Sequence, residues 1–229
     1  VRNAFNSSYT PYGSSGGSAV AVATSMAAAS LGTDTNSSVR IPASAAGLVG
    51  MRPSVGLISS DGIIPYDVTR DTVGVISKTV EDNALLLSAI NENNESYSLN
   101  KTSLDGVRIG VIDSYLNGSD SSIRVNQATD EDIKTLPNEK IQLLEDMGAE
   151  LVSISELLNS YYYNLANTSM SGGSLCDGFN SYINGTVGSI RSFQDLVMAS
   201  GKIYSLDGYL EECTAICTYH NDATKKDIF

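Results

Sequence analysis

The pattern of apolar and polar positions resolves into helices and strands along most of this chain. The plainest helical pattern runs from Thr79 to Ile90, where Val80, Ala84, Leu87 and the neighbouring Leu86 fall on one side. Thr79 or Ser77 is placed to cap it, and Glu81 and Asp82 suit its positive N-terminal end. Earlier, Ala19 to Ala29 is almost all small or unbranched, Val20 and Val22 excepted, which predicts a closely packed helix. The polar loop 11–18 leads into it, and the backbone N–H groups at its start lack helical partners. Ser30 to Thr35 predicts a short buried strand, and Pro42 the first turn of a helix over Ala43 to Leu48. Between Val49 and Gly74 glycines and prolines punctuate short apolar runs, which predicts short strands and loops.

In the second half, Val107 to Ile112 is the best strand, β-branched and bounded by Gly106 and Asp113. A helix over 131–147 ends at Gly148, and Glu150 to Ile154 follows as another strand, the order of a parallel crossover unit. Helical stretches around 156–170, 190–200 and 206–218 complete the pattern, so the fold class is α/β.

With 41% hydrophobic residues, 229 positions suffice for a sizeable core. Only 17% are charged, and 20 glycines suit close backbone packing. The net charge of −12 and the lack of any basic run argue against nucleic acid as a partner. No apolar stretch reaches the length of a membrane span. Cys176, Cys213, Cys217 and the lone His220 have no metal-ligand spacing, so no metal is expected; Cys213 and Cys217 read as a buried pair of free thiols. Sequons at Asn6, Asn94, Asn100, Asn117, Asn167 and Asn184 arise readily in a chain rich in Asn and Ser and do not establish secretion.

The candidate chemistry lies in two segments. Gly13-Ser14-Ser15-Gly16-Gly17-Ser18 by itself reads as a flexible loop more often than a catalytic one. Gly32-Thr33-Asp34-Thr35-Asn36-Ser37-Ser38-Val39-Arg40-Ile41-Pro42-Ala43 is more specific, a fixed run of polar residues entering a proline-started helix. With Gly47-Leu48-Val49-Gly50-Met51-Arg52-Pro53, they resemble the amidase signature family of Ser–Ser–Lys hydrolases. The likeness continues through Gly56-Leu57-Ile58-Ser59, Asp61-Gly62-Ile63-Ile64-Pro65 and Arg70-Asp71-Thr72-Val73-Gly74. It is dense over 11–90 and sparse afterwards.

The resemblance implies an α/β/α sandwich around a mixed β-sheet, with 1–229 an incomplete portion of one such domain, cut at both ends. It implies Ser38 as the acylated nucleophile and Ser14 as the bridging serine, following a cis Gly13–Ser14 bond. It places an oxyanion hole in the backbone N–H groups of Thr35, Asn36 and Ser37, with Ser38 itself, and gives Asp34, Arg40 and Ser15 supporting roles. No cofactor is implied, and the substrate class is a small-molecule or peptide amide. The chemistry is coherent: a serine hydroxyl must lose its proton as it attacks. The family's base is a lysine held neutral by burial, which passes the proton through the bridging serine, and fixed donors meet the oxyanion.

Two departures stand out. Asn36-Ser37 replaces the family's usual Gly-Gly, and serine tolerates a left-handed backbone poorly. No lysine precedes Ser14; the first is Lys78, which reads as a surface or capping residue. The base is then expected outside this chain, the missing remainder of the protein becomes its partner, and the 229 residues alone are expected to be inactive. The leading reading is an amide hydrolase, with the Asp61–Pro65 and Arg70–Thr72 runs nearer to peptide- or small-amide-cleaving members. The rivals are the ammonia-releasing glutaminase component of a tRNA-dependent amidotransferase, its A subunit, and an inactive relative used for binding. The region 160–215, with Tyr161-Tyr162-Tyr163 and Leu175 to Tyr182, reads either as a pocket wall or as ordinary packing.

Overall fold

The computed structural model describes residues 1–99, 103–112, 131–154, 175–184, 188–192, 195, 196 and 199. Two compact units emerge, Val1–Leu99 with Met170–Phe229, and Asn100–Ser169.

The first unit is built on strands β1 (Ala29–Asp34), β2 (Val49–Met51) and β3 (Thr72–Ser77), ordered β1-β3-β2 and antiparallel at both seams. β3 is central and every one of its residues is buried. Its alternate side chains therefore meet different layers. Ile76 packs with Ala19 and Val22 of helix α1 (Gly16–Ala23), and with Val39, Ala43 and Ala46 in and around helix α2 (Arg40–Ala45). Val73 packs with Ile58 and with Leu87 of helix α3 (Val80–Ile90). Helices thus cover both faces of the sheet, the layering of an α/β/α sandwich.

Two glycines set how closely these layers approach. Gly32 and Gly74 are directly opposed across β1 and β3. The fully buried Val39 sits over the pair: a Cβ at either position would come within 3.1 Å of its methyl groups. At Gly74 that Cβ would also lie 2.5 Å from the Met51 carbonyl oxygen, a contact with backbone that cannot turn aside.

Several expectations about boundaries and faces need correction. α1 begins at Gly16 and stops at Ala23 rather than spanning Ala19 to Ala29. Thr24 turns its hydroxyl back to the Val20 carbonyl at 2.8 Å, and Ser25 takes φ +60°, so the chain reverses toward β1. β1 lies where expected but is only partly buried, with Leu31 47% exposed, because it is the edge of this sheet. α2 starts at Arg40, before Pro42, which occupies an early turn where its missing N–H has no helical partner to lose. α3 and its Thr79 cap are as expected, with Asp82 N–H donating to the Thr79 hydroxyl at 3.1 Å. Its inner face differs: Val80 is exposed while the polar Asn83 is buried. The Asn83 amide donates to the Val75 carbonyl at 3.2 Å and the Ser77 hydroxyl at 3.0 Å, which satisfies it there.

Helix α5 belongs to this unit and spans Leu175–Ile183. Phe179 and Ile183 are buried, and a Cβ on Gly178 would meet Pro65 at 2.9 Å, so the helix lies against the 62–68 loop. Of the helical stretch expected around 190–200, Asp195, Leu196 and Ala199 are helical, whereas Ile190, Arg191 and Ser192 are not. The stretches 156–170 and 206–218, Tyr161 to Tyr163, Cys213, Cys217 and His220 lie outside the described residues.

In the second unit β4 (Arg108–Val111) and β5 (Glu150–Ser153) pair in parallel, joined through helix α4 (Glu131–Asp146). This is the predicted crossover, including the turn at Gly148, where φ is +98° and the Asp105 carboxylate packs against the bare Cα. Pro137 lies within α4, a helical position that the apolar pattern does not mark.

The opposed glycines yield a stability test. Gly74→Ala should destabilise the protein by about 1–3 kcal/mol, the usual cost of overpacking, read from the urea midpoint.

Candidate active site

β1 carries the chain from Ala29 to Asp34, and the five residues after it lead into α2. Being an edge strand, β1 leaves alternate backbone groups without a strand partner. Serines of the other motif supply the partners. Ser15 is buried; its hydroxyl donates to the Thr33 carbonyl and accepts from the Thr33 N–H, both at 3.2 Å. The Ser18 hydroxyl donates to the Leu31 carbonyl at 2.8 Å, and the Ser30 hydroxyl returns to the Ser18 carbonyl at 3.0 Å. Gly32 makes this possible, since a Cβ there would stand 2.5 Å from the Ser15 hydroxyl oxygen.

The Ser15 N–H also donates to the Ser38 carbonyl at 3.1 Å. The two motif segments, distant in sequence, are thereby tied side by side. The Gly13–Ser14 peptide bond is cis. Ser14 is exposed and Ser38 half-buried.

The 35–40 segment is organised by Asp34, whose side chain is fully buried. Its carboxylate accepts N–H bonds from Ser37 at 2.7 Å, Val39 at 3.1 Å and Arg40 at 3.4 Å. The Arg40 guanidinium adds a two-pronged pair, Nε at 3.1 Å and Nη2 at 3.2 Å. Arg52 Nε stands 3.4 Å from the same carboxylate. Burial pushes this carboxyl's pKa upward most strongly, but donation from Arg40, Val39 and Ser37 outweighs it and holds the group below its ordinary value of 3.8.

These bonds fold the segment tightly enough that Ser37 adopts φ +74°. The backbone at this position has the left-handed form that a glycine would take freely. Asn36, the other replacement, is exposed.

A second carboxylate holds the flank. The Thr35 hydroxyl donates to one oxygen of Asp71, while the other accepts the N–H of Tyr66 at 2.6 Å and of Asp67 at 2.8 Å. Asp67 is paired in turn with Arg70 at 2.8 Å, and Arg52 Nη2 donates to the Arg70 carbonyl at 2.6 Å. Arg52 thus touches both carboxylate systems. Burial raises the Asp67 pKa, but donation from Thr69 and Arg70 brings it below the ordinary value. Among the described residues no cluster of His, Cys, Asp and Glu could hold a metal ion.

The Amidase family model matches residues 1–192. The chain belongs to the amidase family. It is 36% identical over 167 residues to the A subunit of the glutamyl-tRNA(Gln) amidotransferase of Thermoanaerobacter pseudethanolicus, covering 68% of this chain and 32% of that protein. Against the corresponding protein of Helicobacter hepaticus it is 38% identical over 173 residues, 71% of this chain and 36% of the other. The chain spans about a third of the length of the curated relatives it matches. Among solved structures, the native peptide amidase from Stenotrophomonas maltophilia superposes with a TM-score of 0.69 at 29% identity, over 87% of this chain and 42% of that one. The A subunit of the Thermotoga maritima glutamyl-tRNA(Gln) amidotransferase superposes with 0.64 at 27% identity, over 99% and 47%. The amidase fold, an α/β architecture of which this chain holds part, agrees with the layering described above.

The site residues expected from sequence thus fall in one neighbourhood of the first unit: Ser14 and Ser15 on the entry to α1, Asp34 to Arg40 between β1 and α2. Lys78 does not. It follows Ser77, which pairs with Ala29 at the far end of β1 from Asp34, five residues or roughly 17 Å along the strand. Its ammonium donates to the Ser25 hydroxyl at 2.6 Å on the surface. Val39, Arg52, Asp71 and Ser18 were not singled out from the sequence. All four lie inside the motif segments, but nothing in their spacing shows that they close on Thr35–Ser38.

Asp34→Asn should cost about 3–5 kcal/mol, because it strands Arg40 and Arg52 opposite a neutral group, read by chemical denaturation. Since the Asp34 pKa is depressed on folding, its stabilisation is present above pH 3.8 and is lost only as pH falls through the lower folded value; the variant's acid unfolding curve should lack that component. Ser37→Gly should stabilise by roughly 0.5–1 kcal/mol, the relief of a left-handed serine less glycine's entropy, measured as a raised thermal midpoint.

Proposed function

We propose that the protein carrying this chain hydrolyses carboxylic amides through an acyl-enzyme on Ser38. The observation that carries this is the Ser15 N–H bond to the Ser38 carbonyl, which sets the loop of Ser14 against that of Ser38. Ser38 Oγ attacks the amide carbonyl carbon as its proton passes to Ser14, whose own proton goes to a base. The tetrahedral oxyanion faces the N–H groups of Thr35, Asn36 and Ser38, while that of Ser37, also expected to be a donor there, is engaged by the Asp34 carboxylate. Collapse breaks the C–N bond, the amine leaves with the relayed proton, and water then releases the acid by the same route in reverse.

The base is a lysine held outside these 229 residues; the placement of Lys78 away from Ser38 supports this. On the same reading, 1–229 forms part of one amidase domain, and the residues that complete it come from the rest of the protein. The isolated segment then turns over no substrate even when folded.

The preferred substrates are small or peptide amides, favoured by the superposition on peptide amidase. A second reading, supported by the sequence likeness to amidotransferase A subunits, is glutamine amidohydrolysis feeding a partner. The full-length protein separates the two: ammonia release from free glutamine, raised by the partner proteins, marks the second, and cleavage of C-terminal peptide amides marks the first.

Labelling by a fluorophosphonate tests the nucleophile. The full-length protein should label at Ser38, identified by peptide mass, and Ser38→Ala should abolish labelling; persistent labelling of the variant removes the assignment. Ser14→Ala should retain the fold and lower the labelling rate by about 10²–10⁴-fold, the usual size of a lost proton-transfer group.

A further inference from the structure

We propose that Asp71 is a positioning residue for the oxyanion-binding segment, acting through Thr35; this rests on the reading of Ser38 as nucleophile. Asp34 and Thr72 are the last opposed pair of the β1·β3 ladder. One step further, where the backbone pairing has ended, the Thr35 hydroxyl and the Asp71 carboxylate continue it through side chains. The other oxygen of Asp71 meanwhile accepts the Tyr66 and Asp67 N–H groups. One carboxylate therefore fixes two things at once: the direction in which the backbone leaves β1 toward Ser38, and the end of the 60–68 loop beside it.

The other side of Thr35–Ser37 is already held, by the Ser37 N–H bond to Asp34. The Thr35 hydroxyl bond to Asp71 fixes the end of the segment that leaves β1. Asp71 also joins Asp34 through a closed circuit: Asp71 to the Asp67 N–H, Asp67 to Arg70, the Arg70 carbonyl to Arg52, and Arg52 to Asp34. An oxyanion hole depends on donors set in advance of reaction, so loosening one end should slow acylation more than it weakens binding.

The test uses the full-length protein and a fluorophosphonate, with the labelling rate resolved into its maximal rate and half-saturating concentration. Thr35→Val keeps the shape and removes the donor. It should lower the maximal rate by roughly 10-fold or more with half-saturation changed less than about 3-fold. Thr35→Ser, which restores a hydroxyl, should recover most of the rate. Asp71→Asn should fall at least as far, and the double variant Thr35→Val/Asp71→Asn no further than Asp71→Asn alone, since both break one link. Thermal midpoints measured alongside separate rate from folding, and Thr35→Val serves if Asp71→Asn does not fold. An unchanged maximal rate in Thr35→Val, no recovery in Thr35→Ser, or fully additive losses would overturn the proposal. Ser38→Ala distinguishes the two levels: if it still labels, the nucleophile assignment falls and this proposal with it; if it does not while Thr35→Val reacts at full rate, only the role of Asp71 is lost.

Discussion

Asp34 is a charge buried completely at the end of a strand, and such a group is tolerable only if its oxygens are supplied with donors. The donors come from the residues immediately after it: the backbone N–H groups of Ser37, Val39 and Arg40, and the Arg40 side chain. Supplying them forces the chain to curl back over the carboxylate. The turn into α2, the left-handed Ser37 and the placement of Ser38 between them follow from that requirement. The carboxylate shapes the loop because the loop is what solvates it.

The curled segment needs a seat, and packing provides it. Val39 has its N–H on Asp34 and its side chain over the Gly32–Gly74 pair. Hydrogen bonding on one side of the residue and close packing on the other leave the neighbouring Ser38 little room to drift. Ser15 and Ser18 perform a comparable service from the other motif by satisfying the edge of β1 that would otherwise be open. The same contacts that close a sheet edge also bring the two serine loops together, so edge protection and site assembly are one set of bonds.

The replacement of the family's glycines by Asn36 and Ser37 fits this frame. Ser37 holds a left-handed angle that serine does not favour, because the Asp34 bond and the seated Val39 define the path on either side. The strain is held locally by a network strong enough to bear it.

Local physics made much of this legible from sequence. The Thr79 cap, the strand–helix–strand order of the second unit and the left-handed turn at Gly148 depend on neighbours in the chain, and they lie where the pattern put them. So does the fold class, and the resemblance to the amidase signature family marked Ser14, Ser15 and the 34–40 run as one neighbourhood. What depended on partners far along the chain was not legible. The burial of Asn83, the pairing of Gly32 with Gly74 and the link from Thr35 to Asp71 exist because β3 lies beside β1. A polar residue gives no sign in sequence of whether a distant carbonyl or carboxylate will meet it. α1 ends early for a related reason: Ala-rich composition favours a helix anywhere, whereas the turn back to the sheet fixes where it stops. Sequence thus determined which residues are chemically suited to the site, since that rests on side-chain type and order. Beyond the expected support from Asp34, Arg40 and Ser15, tertiary structure decided what holds them, because buried hydrogen bonds and close packing are made between segments that only the fold brings into contact.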